Sequence, residues 1–462
     1  MRKEKDIMKK IIASLCCISV VLALSGEGWS ATKKHRSHRK SAVTEPASTT
    51  PAPQAAPAPE PPKEGWGDKF EVGWKKGLFF KSKDEKFSMK FRIRMQPRFQ
   101  WNTQNAAGQP NQETFQIRRL KLSWEGNAFT KNLDYKVQLN VVAVNPIQDM
   151  IEYVFVDYRF FDPLRVEFGQ FKVPYDRQEI TSSGRQEFVD RSLAAEAFRF
   201  NAVDSSTTTT CTIPGGATIT GSGITCGGGA TATSNTTFSQ RAFQFDPGLM
   251  IHGEAFNKKM EYYASVTNGS GPTRINVNKF PLVTGRVVGN ILGQYGYSES
   301  DVDYSEHPAL VVGAAGGYNS QGASNTNYAQ AGGELGFKYK GFAFQSEYYF
   351  RNNRIGTNAA GAPNIKGLLP GNSNDHGYYA QAGYFVIPHH FEIAARSSQI
   401  FLAGPNNNKS EFMGALGYYI FGHDLKLQAD YAFLPTQVDP AKNGGKGTAN
   451  DQRFRLQLQA WF

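Results

Sequence analysis

Residues 87–101 read Phe87-Ser88-Met89-Lys90-Phe91-Arg92-Ile93-Arg94-Met95-Gln96-Pro97-Arg98-Phe99-Gln100-Trp101. Apolar side chains hold the odd positions and polar or basic ones the even positions, with Pro97 as a blemish. A period of two puts the two sets on opposite faces of a β-strand. Proline cannot donate to a ladder, so Pro97 predicts a strand end or a bulge. The alternation recurs in Leu133, Tyr135, Val137, Leu139 and Val141 against Asp134, Lys136, Gln138 and Asn140. At the chain end Phe454, Leu456, Leu458, Ala460 and Phe462 alternate with Arg453, Arg455, Gln457 and Gln459.

About sixteen such segments can be placed, starting near residues 86, 114, 132, 150, 164, 242, 259, 282, 308, 329, 341, 376, 390, 410, 425 and 452. Connections after even-numbered segments are mostly short, such as Phe161–Pro163, Asn257-Lys258 and Pro388-His389. Those after odd-numbered segments are mostly longer, such as Asn102–Glu113, Val173–Arg241 and Asn352–Asp375. Short turns at one rim and long loops at the other predict an all-β fold, a transmembrane antiparallel β-barrel of about sixteen strands. Two connections fit poorly: Asn145–Asp149 is short for an outer loop, and Leu292–His307 is long for a turn. A soluble β-sandwich or lectin also alternates. Against it stand the lack of a second set of core elements, and aromatics near strand ends, as at Trp101, Trp124, Phe160, Tyr348–Phe350 and Tyr418-Tyr419. A bilayer interface favours aromatics there.

Composition agrees. The 462 residues include 46 Gly, 33 Phe, 20 Tyr and 6 Trp, with a mean hydropathy of −0.45. That aromatic content excludes a wholly disordered chain. The longest largely apolar stretch, Ile11–Leu24, is too short for a spanning helix, which needs about 20 residues. Preceded by Arg2, Lys3, Lys5, Lys9 and Lys10 and followed by small residues, it predicts a signal peptide over 1–25. Residues 26–64 open with five basic residues between Lys33 and Lys40 and continue with seven prolines, a basic and Pro/Ala-rich disordered linker. Residues 65–462 are then the barrel. Two cysteines remain in the mature chain, Cys211 and Cys226, inside a Thr/Ser/Gly/Ala insert at Ser205–Thr237 that reads as a loop. In a secreted chain they predict a disulfide.

The charge is unevenly placed. Residues 86–144 hold ten basic and three acidic residues, whereas the 318 residues that follow are close to neutral. Lys90, Arg92, Arg94 and Arg98 lie on the polar face of the first strand. In the second, Phe115 and Ile117 face one way, and Leu120, Leu122 and Trp124 resume that phase one residue late. A β-bulge at Arg118-Arg119 would produce this slip and turn both guanidinium groups into the lumen, with Lys121 following. Lys136 joins them on the third segment. A charge facing lipid at mid-depth would cost about 2–4 kcal/mol. Basic residues along a polar tunnel concentrate anions, and guanidinium forks match phosphate oxygens.

At these residues the chain resembles the phosphate-selective porin family, porins O and P, over roughly residues 70–462. The most specific stretch is Val166-Glu167-Phe168-Gly169-Gln170-Phe171-Lys172-Val173-Pro174-Tyr175, followed by Glu179–Ser183 and Glu187–Ser192. Phe115–Leu120, Thr267-Asn268-Gly269 and Gly377–Tyr384 also match. The resemblance implies a trimeric porin of the bacterial outer membrane, in contact with lipid and lipopolysaccharide, with its linker in the periplasm. It implies inward-folded loops around a basic constriction for phosphate or polyphosphate. Arg118 and Arg119 match the family's paired wall arginines; Lys172, Arg177, Arg185 and Arg191 fall in its inward loop region. The insert at 205–237 departs from the family pattern.

Other functions find little footing. His252 and His376 stand alone on predicted strands, and no His pairs with Cys or carboxylate at metal-ligand spacing. Gly221-Ser222-Gly223 lacks the Lys-Thr sequel of a phosphate-binding loop. The expectation is therefore a channel with no catalytic residue, no metal, no cofactor and no nucleic-acid partner. A porin for another solute and a non-conducting adhesin or scaffold remain as alternatives.

Overall fold

Sixteen antiparallel strands close on themselves, because the alternation of residues 88–102 recurs around the whole chain. They are β1 (Ser88–Asn102), β2 (Gln112–Asn127), β3 (Leu133–Asn140), β4 (Ile151–Phe161), β5 (Leu164–Lys172), β6 (Phe245–Ala255), β7 (Met260–Thr267) and β8 (Phe280–Leu292). Then come β9 (Ala309–Gln321), β10 (Thr326–Tyr339), β11 (Phe342–Ile355), β12 (Gly371–Ile387), β13 (Phe391–Phe401), β14 (Lys409–Phe421), β15 (Leu425–Gln437) and β16 (Thr448–Trp461). Each predicted segment corresponds to one of them. This computed structural model describes residues 69–462, apart from 104–110, 143–146, 228, 277, 322–323 and 358–370. The expected signal peptide and linker, residues 1–64, lie outside the described residues.

Each strand pairs with the next, and β16 returns to β1 from Arg453↔Asn102 to Trp461↔Arg94. Ile93 and Phe462 exchange backbone hydrogen bonds of 2.6 and 2.9 Å, so both ends of the barrel lie at one rim. The outer face carries exposed Phe115, Val154, Val156, Phe168, Val287, Leu416, Leu456 and Leu458. The inner face buries Gln, Arg, Glu and Lys. This inverts a soluble fold and suits a wall with lipid outside.

Several elements were not legible as strands. Phe70–Trp74 and Leu78–Ser82 form a hairpin whose second strand pairs with the start of β1, Leu78 opposite Phe91. Five residues give too few alternations to read. The insert, expected as a loop, is instead a three-stranded sheet of Phe200–Thr212, Thr218–Ser222 and Thr231–Phe243. Threonine suits a pleated strand, and hydroxyls meet across it at Thr207–Thr236 and Thr210–Thr220. Gly215 and Gly216 turn the tight connection at φ +111° and +90°. Cys211 and Cys226 are bonded there, with Cα atoms 5.4 Å apart.

Two connections fold into the barrel. Residues 173–199, between β5 and the insert, carry α1 (Arg177–Ile180), capped by Asp176, and α2 (Leu193–Ala197), capped by Ser192. Val173, Tyr175, Ala194, Ala195 and Phe198 pack with Tyr349, Tyr379 and Ile400 of the wall, and Phe198 stacks on Tyr349 at 5.4 Å. The second is 293–308, whose length fitted a turn poorly. It turns inward, burying Tyr295, Glu299, Ser300 and Asp301. The two segments meet: Glu299 N–H donates to Arg185 O at 3.0 Å, and Glu187 N–H donates to Glu299 Oε2 at 2.9 Å.

Candidate functional site

The basic wall begins with the missing donor of Pro97. Opposite it the register slips, Gln96 facing Arg119 and Pro97 facing Ile117, so Arg118 is the extra residue of a bulge. Two consecutive arginines thus reach the same inner surface. They meet Asp190 of the inward segment. Its Oδ1 accepts from Arg119 at 2.8 Å, and Arg118 Nε stands 3.8 Å away. Its Oδ2 accepts from Arg98 at 2.8 Å and from Arg455 at 3.0 Å. Arg455 is also held by Asp430 at 2.7 Å. Burial alone would raise the Asp190 carboxyl. The guanidinium groups of Arg119, Arg455, Arg98 and Arg118 outweigh it and hold the carboxyl well below the usual carboxylate range.

The predicted cations divide by exposure. Arg94 is buried, bonds to the hydroxyls of Ser182 and Ser183 at 2.8 and 2.9 Å, and has an unpartnered Nε. Lys121 pairs with Glu152 at 2.5 Å. Lys172 Nζ donates to the carbonyls of Glu179, Ile180 and Thr181, and Arg191 to those of Gln178 and Thr181. Arg177 reaches Glu334 at 3.0 Å. Arg94, Lys172, Arg177 and Arg191 seat the inward segment, Lys121 pairs within the wall, and few of their donors are left for a solute. Arg118, with its side chain 40% exposed, keeps donors free. Lys136 is partly exposed beside Glu125 at 3.2 Å.

Arg92 and Arg185 belong to a second region at the rim of the short turns. Together with Lys76, Lys90, Ser298, His389, His390, His423 and Trp461 they line a cavity of about 760 Å³. Its carboxylates are Asp303 and Asp424. Asp424 stands 3.5 Å from both Arg92 and Lys76. The Arg92 guanidinium lies 3.7 Å over the Trp461 ring.

The acids that balance residues 86–144 come from elsewhere in the chain: Asp190, Glu152 and Asp424. Sequence reading also missed Arg455 and Arg286, which join Asp430 and Glu334 inside the barrel. The polar face of the last strand was the visible signal for Arg455; its carboxylate partners carried none.

The family described as phosphate-selective porin O and P has a sequence model that matches residues 88–271. An uncharacterized protein of Aquifex aeolicus (strain VF5) is 26% identical over 127 residues, 23% of this chain. The chain spans 31% of the length of that curated relative. The barrel is similar to the anion-selective porin from Comamonas acidovorans, with 9% identity and a TM-score of 0.51, covering 81% of this chain and 99% of that one. It is similar to Salmonella typhi OmpF, solved with daunomycin, with 10% identity and a TM-score of 0.51 over 85% and 100% of the two chains. At these identities the likeness is one of fold. Residues 88–271 thus match the family model of phosphate-selective porins O and P, within a closed sixteen-strand barrel of the porin fold.

Proposed function

We propose that this protein is an outer-membrane porin that passes small anions by diffusion, with phosphate and polyphosphate as the solutes its wall suits best. The observation that carries the reading is the convergence of Arg98, Arg118, Arg119 and Arg455 on the single carboxylate of Asp190. Even with Asp430 on Arg455, guanidinium outnumbers carboxylate around Asp190. Low-dielectric surroundings focus that excess and raise the local anion concentration. Arg118 offers exposed donors to a passing oxyanion, and weak multi-site contacts let an ion leave as well as enter. The cavity with Lys76, Lys90, Arg92 and Arg185 is a second anion-attracting region at the opposite rim from the long loops. The family resemblance supports a homotrimer and a periplasmic linker, and a channel rather than an enzyme.

The meeting of 173–199 and 293–308 favours a second reading, a barrel that conducts only when one segment moves, or not at all. Reversal potential across a planar bilayer in a KCl gradient tests both. An anion-selective potential, with chloride current blocked by added phosphate, supports the proposal. A cation-selective potential overturns it, and absence of conductance supports the second reading.

A further inference from the structure

We propose that Asp157, Glu167 and His252 form a site for one divalent transition-metal ion on the inner wall of the barrel. His252 looks solitary in sequence, but the sheet brings it to two carboxylates. Asp157 of β4 stands directly opposite Glu167 of β5. His252 of β6 stands opposite Arg165, two residues from Glu167 on the same face. His252 Nε2 lies 3.4 Å from Asp157 Oδ2 and 3.8 Å from Glu167 Oε2. One potential ligand atom from each of the three residues lies within 4.8 Å of the others.

Three observations ask for a cation here. Like charges placed opposite each other on adjacent strands repel, yet Asp157 is 4% exposed and Glu167 6%. Arg165 compensates Asp157, with Asp134 on its other side, and the bonds it makes do not reach Glu167. The nearby Lys136 pairs with Glu125. Among the described residues, the imidazole at 3.8 Å is the ion-pair partner of Glu167. Two buried atoms of these residues, His252 Nε2 and Asp157 Oδ1, make no hydrogen bond.

The donor set chooses the metal. One imidazole nitrogen and two carboxylate oxygens suit Zn²⁺ and its transition-metal neighbours, whereas Ca²⁺ and Mg²⁺ prefer all-oxygen sites. Ligands about 2.0–2.2 Å from a tetrahedral zinc stand roughly 3.4 Å apart, so small side-chain rotations would close the cluster. The His252 ring is already oriented by stacking on Tyr263, at 5.9 Å and 2° between planes. Three protein ligands leave a fourth position for water or a passing anion.

The test uses the full-length folded protein in detergent, stripped with EDTA and titrated with Zn²⁺ alone in a calorimeter. Asp157 is kept, because it also holds Arg165. The expected result is one saturable equivalent per chain, weakened at least tenfold in both His252→Ala and Glu167→Gln. Both variants should retain the heat-modifiable gel mobility of a folded barrel. A His35→Ala/His38→Ala variant should bind as the wild type does. Co²⁺ should give visible bands in the wild-type protein that His252→Ala abolishes, a readout that needs no variant of the carboxylates. Absence of saturable binding, or binding unchanged in both site variants, would overturn the proposal.

Discussion

Asp190→Asn separates the seating of the inward segment from the charge of the lumen. The carboxylate accepts three charge-assisted bonds of 2.8, 2.8 and 3.0 Å from Arg98, Arg119 and Arg455, and its side chain is 12% exposed. Removing one partner of such a buried set costs about 3–5 kcal/mol, because Arg98 and Arg119 stay buried without that carboxylate, although Arg455 keeps Asp430. Asparagine keeps the shape and one acceptor oxygen, so the lower end, about 3 kcal/mol, is expected. That is roughly a hundredfold rise in the population with the segment unseated. The backbone contacts remain: Asp190 O accepts from Arg396, and Val189 N–H donates to Asp430. The barrel should therefore stay folded. Single-channel recording should show larger open-state noise, and limited proteolysis should cut between 173 and 199 faster. The lost negative charge should at the same time raise anion-over-cation permeability. Asp424→Asn, whose cationic contacts are both at 3.5 Å with Lys76 largely exposed, should change seating by less than about 1 kcal/mol. Unchanged noise and protease resistance in Asp190→Asn would refute the anchoring role, and a fall in anion selectivity would refute the charge argument.

Arg118→Gln should lower anion-over-cation permeability and weaken phosphate block with no loss of stability, because its side chain is 40% exposed and its contact is 3.8 Å. Arg119→Gln should lower both selectivity and thermal stability, and identical behaviour of the two variants would contradict the division by exposure. Glu187, on the inward segment, is held well above the usual carboxylate range by burial, then by Glu392 and Glu299. Because its folded pKa is raised, the unfolded chain ionises first as pH climbs. Seating should therefore weaken from about pH 4.3 upward, through the folded pKa. Glu187→Gln should flatten that slope, seen as conductance noise equal at pH 5 and pH 9, and a persisting slope would exclude Glu187 as its source. Non-reducing mass mapping should recover Cys211 and Cys226 as one linked peptide, and two free thiols would remove the bridge.

What was legible in the sequence follows from the range of the forces that write it. Alternation is local, so all sixteen barrel strands could be read, and the bulge at Arg118 announced itself as a slipped phase after Phe115 and Ile117. Two five-residue strands and a threonine-rich sheet were missed because one lacks length and the other lacks an apolar face. The site was harder, because its acids are remote in sequence: Asp190 is 92 residues from Arg98 and 265 from Arg455. Counting charge over residues 86–144 therefore exaggerates the free cation. Arg94, Arg98 and Arg119 bind the inward segment, Lys121 pairs within the wall, and Arg118, which keeps exposed donors, is the one the bulge leaves without a cross-strand partner. His252 shows the same limit from the other side. Spacing along the chain found it no ligand partner, yet strand pairing sets it beside Asp157 and Glu167. In a barrel the chemically relevant neighbour sits across the ladder, so the register has to be known before any charge on the inner face can be assigned to structure or to solute.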